Sequence, residues 1–217
     1  MTDPCTRLAA AAADWDELGP RLAPDDLHRL ALRLRAWRTS TGAAARDAAL
    51  GAALLLGELL PDRFPDGNRL VAAPDAAAGE HLGFRAEDLA VLLLDGHRMV
   101  GPLLGEVRDR LLAAPSLGDE EVLLTGCDPY APALIRLRAW GGSIRLPSFQ
   151  FTPDGRPRDT VREVNLLLDA DGDPWGAADW WLSPNAWLAA EPVRLFGTSD
   201  EPRLPETARL LTETEGE

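Results

Sequence analysis

The sequence predicts a mainly α-helical protein, with an N-terminal helical bundle, a short β-hairpin or small antiparallel sheet in the middle, and a small helical domain at the C-terminal end. Three observations lead to this prediction. Leucines and alanines recur at helical spacing in the first half, β-prone runs broken by glycine and proline fill the middle, and helical spacing returns from Thr160. The predicted domains span residues 1–118, 119–152 and 153–217.

Apolar residues at helical spacing define four segments in the N-terminal half. They cover residues 24–38, 43–60, 84–94 and 102–114. An acid after Pro24 can cap the free amides of the first of them. The alanine-rich residues 1–20 fit a short helix or a loose arm, and the prolines and glycines of residues 62–79 predict a loop. The core candidates of the last two segments are Leu89, Leu92, Leu93, Leu103, Leu104, Val107 and Leu111.

The middle of the chain is predicted to hold strands, after a junction at residues 115–119. Its β-prone runs are Val122–Thr125, Leu134–Leu137 and Ile144–Leu146, which glycines and prolines separate. Apolar spacing then predicts helices over residues 160–168, 175–182 and 192–196, and a final helix with an acidic end within residues 202–217. Asp173 and Pro174 are predicted to begin the second of these, as its cap and first residue.

The composition predicts a folded cytoplasmic protein. Hydrophobic residues make up 46% of the 217, and no apolar run approaches the roughly 20 residues of a membrane-spanning helix. Cys5 and Cys127 stand far apart in the sequence, which favours two unreactive thiols. The net charge of −13 favours a protein over DNA as the partner, because binding to DNA phosphates requires a positive surface.

The sequence carries no motif that predicts a catalytic residue, a metal site or a cofactor. The three histidines lie on different elements, without a second ligand one helical turn away. The alternating acids of residues 169–173 begin like a calcium loop, but Trp180 occupies the position of the required glutamate. No glycine-rich phosphate loop and no nucleophile elbow occurs. We therefore expect a protein that is not an enzyme.

A set of landmarks near the C-terminal end carries the functional prediction. It consists of a Pro147-x-Phe149-Gln150-Phe151 entry, a helix ending in Trp181-Leu182, a Pro184-Asn185-x-x-Leu188 turn and a short helix after Pro192. In order and spacing, these landmarks resemble the toxin-binding domain of Xre/MbcA/ParS antitoxins. The likeness covers residues 145–198, about a quarter of the chain.

One departure from the family pattern follows the turn. The family usually places two glycines there, whereas this sequence has Ala189-Ala190-Glu191. Glycine adopts positive φ without steric cost and alanine does not. The turn and the partner-facing surface beside it are therefore expected to differ from those of the family.

The resemblance implies a helical module that neutralises a toxin by contact. The resembling antitoxins are commonly paired with RES-type toxins, which consume NAD, and their C-terminal region approaches the toxin's active site. For this chain the resemblance thus implies steric occlusion of that site, with the acidic tail matching a pocket built for a phosphate-rich substrate. A homodimer is compatible with the same mechanism.

The landmark region is rich in tryptophan. Trp180 and Trp181 must point about 100° apart on a helix, so one small core can hardly bury both rings. Tryptophan and arginine often dominate binding energy at protein interfaces. Core packing is the alternative role for each ring, and turn formation is the alternative for Asn185. The predicted partner-binding residues are Trp180, Trp181, Asn185, Trp187 and Arg194.

Two other functions stay open at the level of sequence. A DNA-binding regulator would use the arginines of one predicted helix, although a solvated polar face explains them equally well. These arginines are Arg29, Arg33, Arg35 and Arg38. An adaptor in another bacterial assembly would use the C-terminal module without a toxin. A gene for a small toxin beside this one favours the antitoxin, and its absence favours the adaptor.

Overall fold

The computed structural model describes residues 3–65 and 80–215 and confirms a mainly helical fold with a small antiparallel sheet and a two-stranded hairpin. The described residues form two compact units. The first spans the chain to Arg108 together with Trp140–Gly142, and the second spans Asp109–Ala139 and the residues from Ser143 onward. The predicted three-domain division stays a prediction.

The first unit is built from helices and one hairpin. Its helices are α1 (Pro4–Ala13), α2 (Trp15–Leu18), α3 (Pro24–Thr39), α4 (Gly42–Leu59), α5 (Ala86–Ala90) and the first residues of α6 (Gly101–Ala113). A 3₁₀ turn (Gly19–Arg21) and a π-helical turn (Val91–Asp95) join them. Strands β1 (Glu80–His81) and β2 (Phe84–Arg85) pair antiparallel. Of the loop predicted for residues 62–79, residues 66–79 lie outside the described residues.

Helix α1 is part of the first core, so the alternative of a loose N-terminal arm is wrong. Asp3 begins the helix, because its carboxylate accepts a hydrogen bond from the Thr6 amide at 3.1 Å. The small alanine side chains let α1 pack closely against α4 and α5, and Leu8 is fully buried there. Arg7 donates to the Ala53 carbonyl at 3.0 Å, which ties α1 to α4.

Two predicted core residues of α6 lie on the surface instead. Leu103 is 78% exposed and Leu104 is also largely accessible, whereas the buried side of the helix carries Gly105, Arg108 and Leu111. Arg108 can be buried because it donates to the carboxylate of Asp88 at 2.9 Å. This buried ion pair turns the leucines outward, which apolar spacing alone does not reveal.

The second unit contains a three-stranded antiparallel sheet and four further helices. The sheet has the order β3 (Ser116–Gly118), β5 (Ile144–Pro147), β4 (Leu137–Arg138), with Leu117 opposite Leu146 and Leu137 opposite Arg145. The helices are α7 (Asp119–Leu124), α8 (Asp159–Leu167), α9 (Pro174–Leu182) and α10 (Arg203–Glu215). Short 3₁₀ turns cover Ser148–Gln150 and Pro192–Leu195.

Two sequence assignments at the start of this unit are wrong. The predicted junction supplies strand β3, and the predicted strand Val122–Thr125 instead forms the last residues of helix α7 and its C-cap, Thr125. Three consecutive acids begin α7, and their negative charges stabilise the helix by interacting with the positive end of its dipole. Glu121 also accepts a hydrogen bond from the Gly118 amide at 2.7 Å and so closes the first turn.

The predicted start of α9 is confirmed. Pro174 occupies the first turn, where its missing amide leaves no bond unmade, and the Asp173 carboxylate accepts from the Gly176 amide at 2.9 Å. By contrast, α3 begins at Pro24 without any side-chain cap. Among residues 3–65 and 80–215, no helix combines the length and apolar character that a membrane crossing requires.

Candidate protein-binding site

The most exposed tryptophan in the second unit is Trp187, which lies in the turn after α9. Its side chain is 54% exposed. The Asn185 carbonyl oxygen Oδ1 accepts hydrogen bonds from the amides of Trp187 at 2.9 Å and Leu188 at 3.2 Å. The backbone of Asn185 in turn donates to the Ala190 carbonyl at 2.9 Å. Asn185 therefore forms the turn, and Trp187 is the residue that the turn presents to solvent.

Two arginines from other elements hold this turn at its ends. Arg110 donates to the Leu182 carbonyl at 3.1 Å, to Asp179 at 2.6 Å and to the Ser183 hydroxyl at 3.0 Å. Arg203, the first residue of α10, donates to the Trp187 carbonyl at 2.8 Å. Both lie far from the turn in sequence, so the landmark pattern gave no signal of their role.

One residue of the turn, Ala189, has a left-handed backbone conformation although it is not a glycine. Ala189 has φ +52°, in the region that favours glycine, and it stands where the resembled family has its glycine pair. A left-handed conformation costs an L-residue about 1–2 kcal/mol. The hydrogen bonds of Asn185 and Arg203 offset this cost, so the turn is formed despite the alanine.

Trp181 was predicted to contact a partner, and this prediction is wrong because its ring has no exposed surface. Its indole Nε1 donates to Asn165 Oδ1 at 2.8 Å. The ring also packs against Phe149 and Phe196, with centroid distances of 5.3 and 5.4 Å. The hydrogen bond to Asn165 and the packing against two aromatic rings thus hold Trp181 in the core of the unit.

Asn165 belongs to a buried polar network with Gln150, the glutamine of the entry landmark. Gln150 Oε1 accepts from the Ile135 amide at 2.7 Å and from Asn165 Nδ2 at 3.1 Å, while Gln150 Nε2 donates to the Ile135 carbonyl at 3.1 Å. Asn165 Nδ2 also donates to the Ala133 carbonyl at 2.9 Å. The landmark glutamine is therefore structural. The one signal for Asn165 is an amide placed between apolar residues of α8.

Trp180 and Arg194 are intermediate cases. Trp180 is partly exposed and packs edge to face on Trp181 at a centroid distance of 5.0 Å. Its indole N–H is buried and makes no hydrogen bond within the described chain. Arg194 is well exposed, but its guanidinium already binds the Glu191 carboxylate at 2.7 and 3.1 Å. Trp180 therefore offers a partly exposed ring, and Arg194 offers a charge that a local acid partly neutralises.

Two of the four arginines of the DNA-binding alternative already bind carboxylates. On α3, Arg38 forms a buried two-point ion pair with Asp95, and Arg29 lies 3.2 Å from Asp26 and 3.5 Å from Glu58. The exposed guanidiniums that stay available on this helix are Arg33 and Arg35. A phosphate-binding face on α3 would thus have two available positive charges, whereas the sequence alone suggests four arginines.

Comparison with known proteins identifies no relative for this chain. No protein-family model matches it, no curated protein matches it, and no solved structure matches it. Within the part of the chain that the structure describes, no group of three or more potential ligands lies in a metal-binding arrangement. The resemblance to antitoxins therefore rests on the landmark residues of the sequence alone.

Proposed function

We propose that the second unit binds a partner protein through the turn that carries Trp187. The observation behind this proposal is a large aromatic side chain, 54% exposed, on a backbone fixed by Asn185 and Arg203. Leaving a tryptophan in water has a cost in free energy, and fixing its backbone contributes affinity only when something binds to it. A rigid, exposed indole is typical of an interface anchor.

The other predicted contact residues lie on α9, in the turn itself and on the 3₁₀ turn Pro192–Leu195 that packs against α9. Trp180 adds a partly exposed ring, Arg194 adds a polar contact beside Glu191, and Asn185 sets the geometry of the turn. Trp181 contributes only through the core beneath them. Specific protein interfaces combine apolar contacts with polar ones at the rim, and the exposed side chains of Trp187 and Arg194 offer both kinds.

The partner that we propose is a RES-type toxin, whose NAD-consuming active site the module would occlude. The landmark residues support this choice by their resemblance to antitoxin domains. The net charge of −13 supports it as well, because a pocket that accepts a phosphate-rich substrate is positive and attracts an acidic protein. In this proposal the protein is not an enzyme and acts only by covering the active site of the toxin. An adaptor role is the alternative where the genome encodes no neighbouring toxin.

The test first looks for a RES-type toxin gene beside the gene of this protein and then measures whether this protein inhibits NAD consumption by that toxin. We expect the native protein to stop NAD loss at stoichiometric concentration, and Trp187→Ala to weaken binding by at least about 30-fold, since hot-spot tryptophans contribute about 2 kcal/mol or more. Tyr130→Ala is the matched control, because Tyr130 is a comparably exposed aromatic residue in the same unit. Equal inhibition by Trp187→Ala and the native protein would refute the proposed contact.

A further inference from the structure

The first unit presents a second apolar surface that neither the landmarks nor the turn of Trp187 involves. It consists of Leu82 at the tip of the β1–β2 hairpin, with Leu103 and Leu104 at the start of α6. Leu82 is 75% exposed and Leu103 is 78% exposed. Gly83, which follows Leu82, packs against Pro102, which precedes Leu103. A Cβ placed on Gly83 would lie only 2.7 Å from Pro102 Cβ. The exposed leucines therefore lie on two adjacent segments, which we call the leucine patch.

A cavity of about 220 Å³ opens beside this patch. Leu104 belongs to its wall, and the other large apolar residues of the lining are Trp15, Phe84, Leu92 and Val100. An exposed apolar patch next to an apolar cavity can accept the larger side chains of a partner, whereas scattered single leucines cannot.

Leu82 itself is placed at a conformational cost. The two hairpin residues Leu82 and Gly83 have φ +53° and +80°, which is the pattern of a two-residue turn that favours Asn-Gly. A leucine in this position is strained, and its exposed side chain gains little inside the unit. Because folding does not explain a leucine here, binding by this side chain is the stronger explanation.

The charges around the patch define its occupant. Glu17 follows Asp16 of the cavity wall, Glu80 begins β1, and Glu106 lies one helical turn after Leu103. All three acids are exposed and form no ion pair within the described chain. Arg98, the cation of the cavity wall, is already paired with Asp16. A partner segment therefore needs apolar side chains flanked by basic ones.

We propose that this patch binds a basic amphipathic helix of a partner protein, independently of the function proposed for the second unit. A second copy of this chain fits less well. An isologous contact would bring the unpaired acids of one copy against those of the other, on a protein that already carries a charge of −13.

The test uses a fluorescent leucine–lysine amphipathic peptide, titrated at physiological ionic strength and followed by anisotropy. Leu82→Asn and Leu103→Asn leave the net charge unchanged, so non-specific attraction of the peptide stays the same. We expect each to weaken binding at least about tenfold, as loss of an interface anchor does. Leu124→Asn is the control, because Leu124 is 89% exposed on a helix of the second unit; it should bind like the native protein.

Thermal unfolding separates a binding role from a structural one. Asparagine suits the left-handed turn position, so Leu82→Asn should keep or raise the melting temperature while it weakens binding. A lowered melting temperature would assign Leu82 to folding and overturn the proposal. Peptide affinities unchanged by both patch variants would also overturn it, as would a dimer of the native protein that Leu103→Asn dissociates.

Discussion

Replacing Asn165 by leucine is expected to lower the free energy of unfolding of the second unit by about 3–5 kcal/mol, although leucine has nearly the same size and shape. The substitution removes the bonds to Trp181, Gln150 and the Ala133 carbonyl together. The Trp181 indole N–H and the Ala133 carbonyl would then be buried without partners, and each such group costs about 1–3 kcal/mol.

Chemical denaturation followed by tryptophan fluorescence measures this loss, because four of the seven tryptophans lie in the second unit. Leu166→Ala is the matched control, since Leu166 is the exposed neighbour of Asn165 on α8. It should change stability by less than about 0.5 kcal/mol. If Asn165→Leu unfolds at the same denaturant concentration as the native protein, the network is not what holds Trp181 in place.

The second large effect is expected from Asp88→Ala in the first unit. Asp88 accepts hydrogen bonds from the Arg85 amide at 2.8 Å, the Gly101 amide at 3.2 Å and the Arg108 guanidinium at 2.9 Å. Both charged side chains are buried. Removing one partner of a buried pair leaves an uncompensated charge, which destabilises a protein by about 3–5 kcal/mol.

An exposed ion pair of the same unit provides the comparison. Asp16 pairs with Arg98 at the surface, so Asp16→Ala should reduce stability by no more than about 1 kcal/mol. Thermal unfolding of the two variants side by side measures the difference. Equal melting temperatures for Asp88→Ala and Asp16→Ala would show that the carboxylate of Asp88 does not organise α5 and α6.

Local signals were sufficient for much of the fold. Helical spacing predicts α3 and α4 closely, and the Asp173-Pro174 pair predicts the start of α9, because capping and periodicity act over a few residues. The strand predicted at Val122–Thr125 is wrong for a related reason. Its leucines suit either structure, and the decisive feature is the acidic turn that precedes them.

Long-range partners account for what the sequence does not reveal. The outward position of Leu103 follows from the Asp88–Arg108 pair, and the burial of Trp181 follows from Asn165, sixteen residues earlier in the chain. The holding of the Trp187 turn by Arg203 is a contact of the same kind. Residue type predicts that one of the tryptophans is exposed, but only the three-dimensional partners decide which one.

The most direct test of the central claim is the solvent accessibility of Trp187 in the free protein and in its complex with the toxin partner that we propose. Hydroxyl-radical footprinting with mass spectrometry reports oxidation of individual side chains. We expect oxidation of Trp187 to be suppressed in the complex, while exposed Tyr130 in the same unit keeps its rate. An unchanged rate at Trp187 in a complex that protects other parts of this chain would contradict the account.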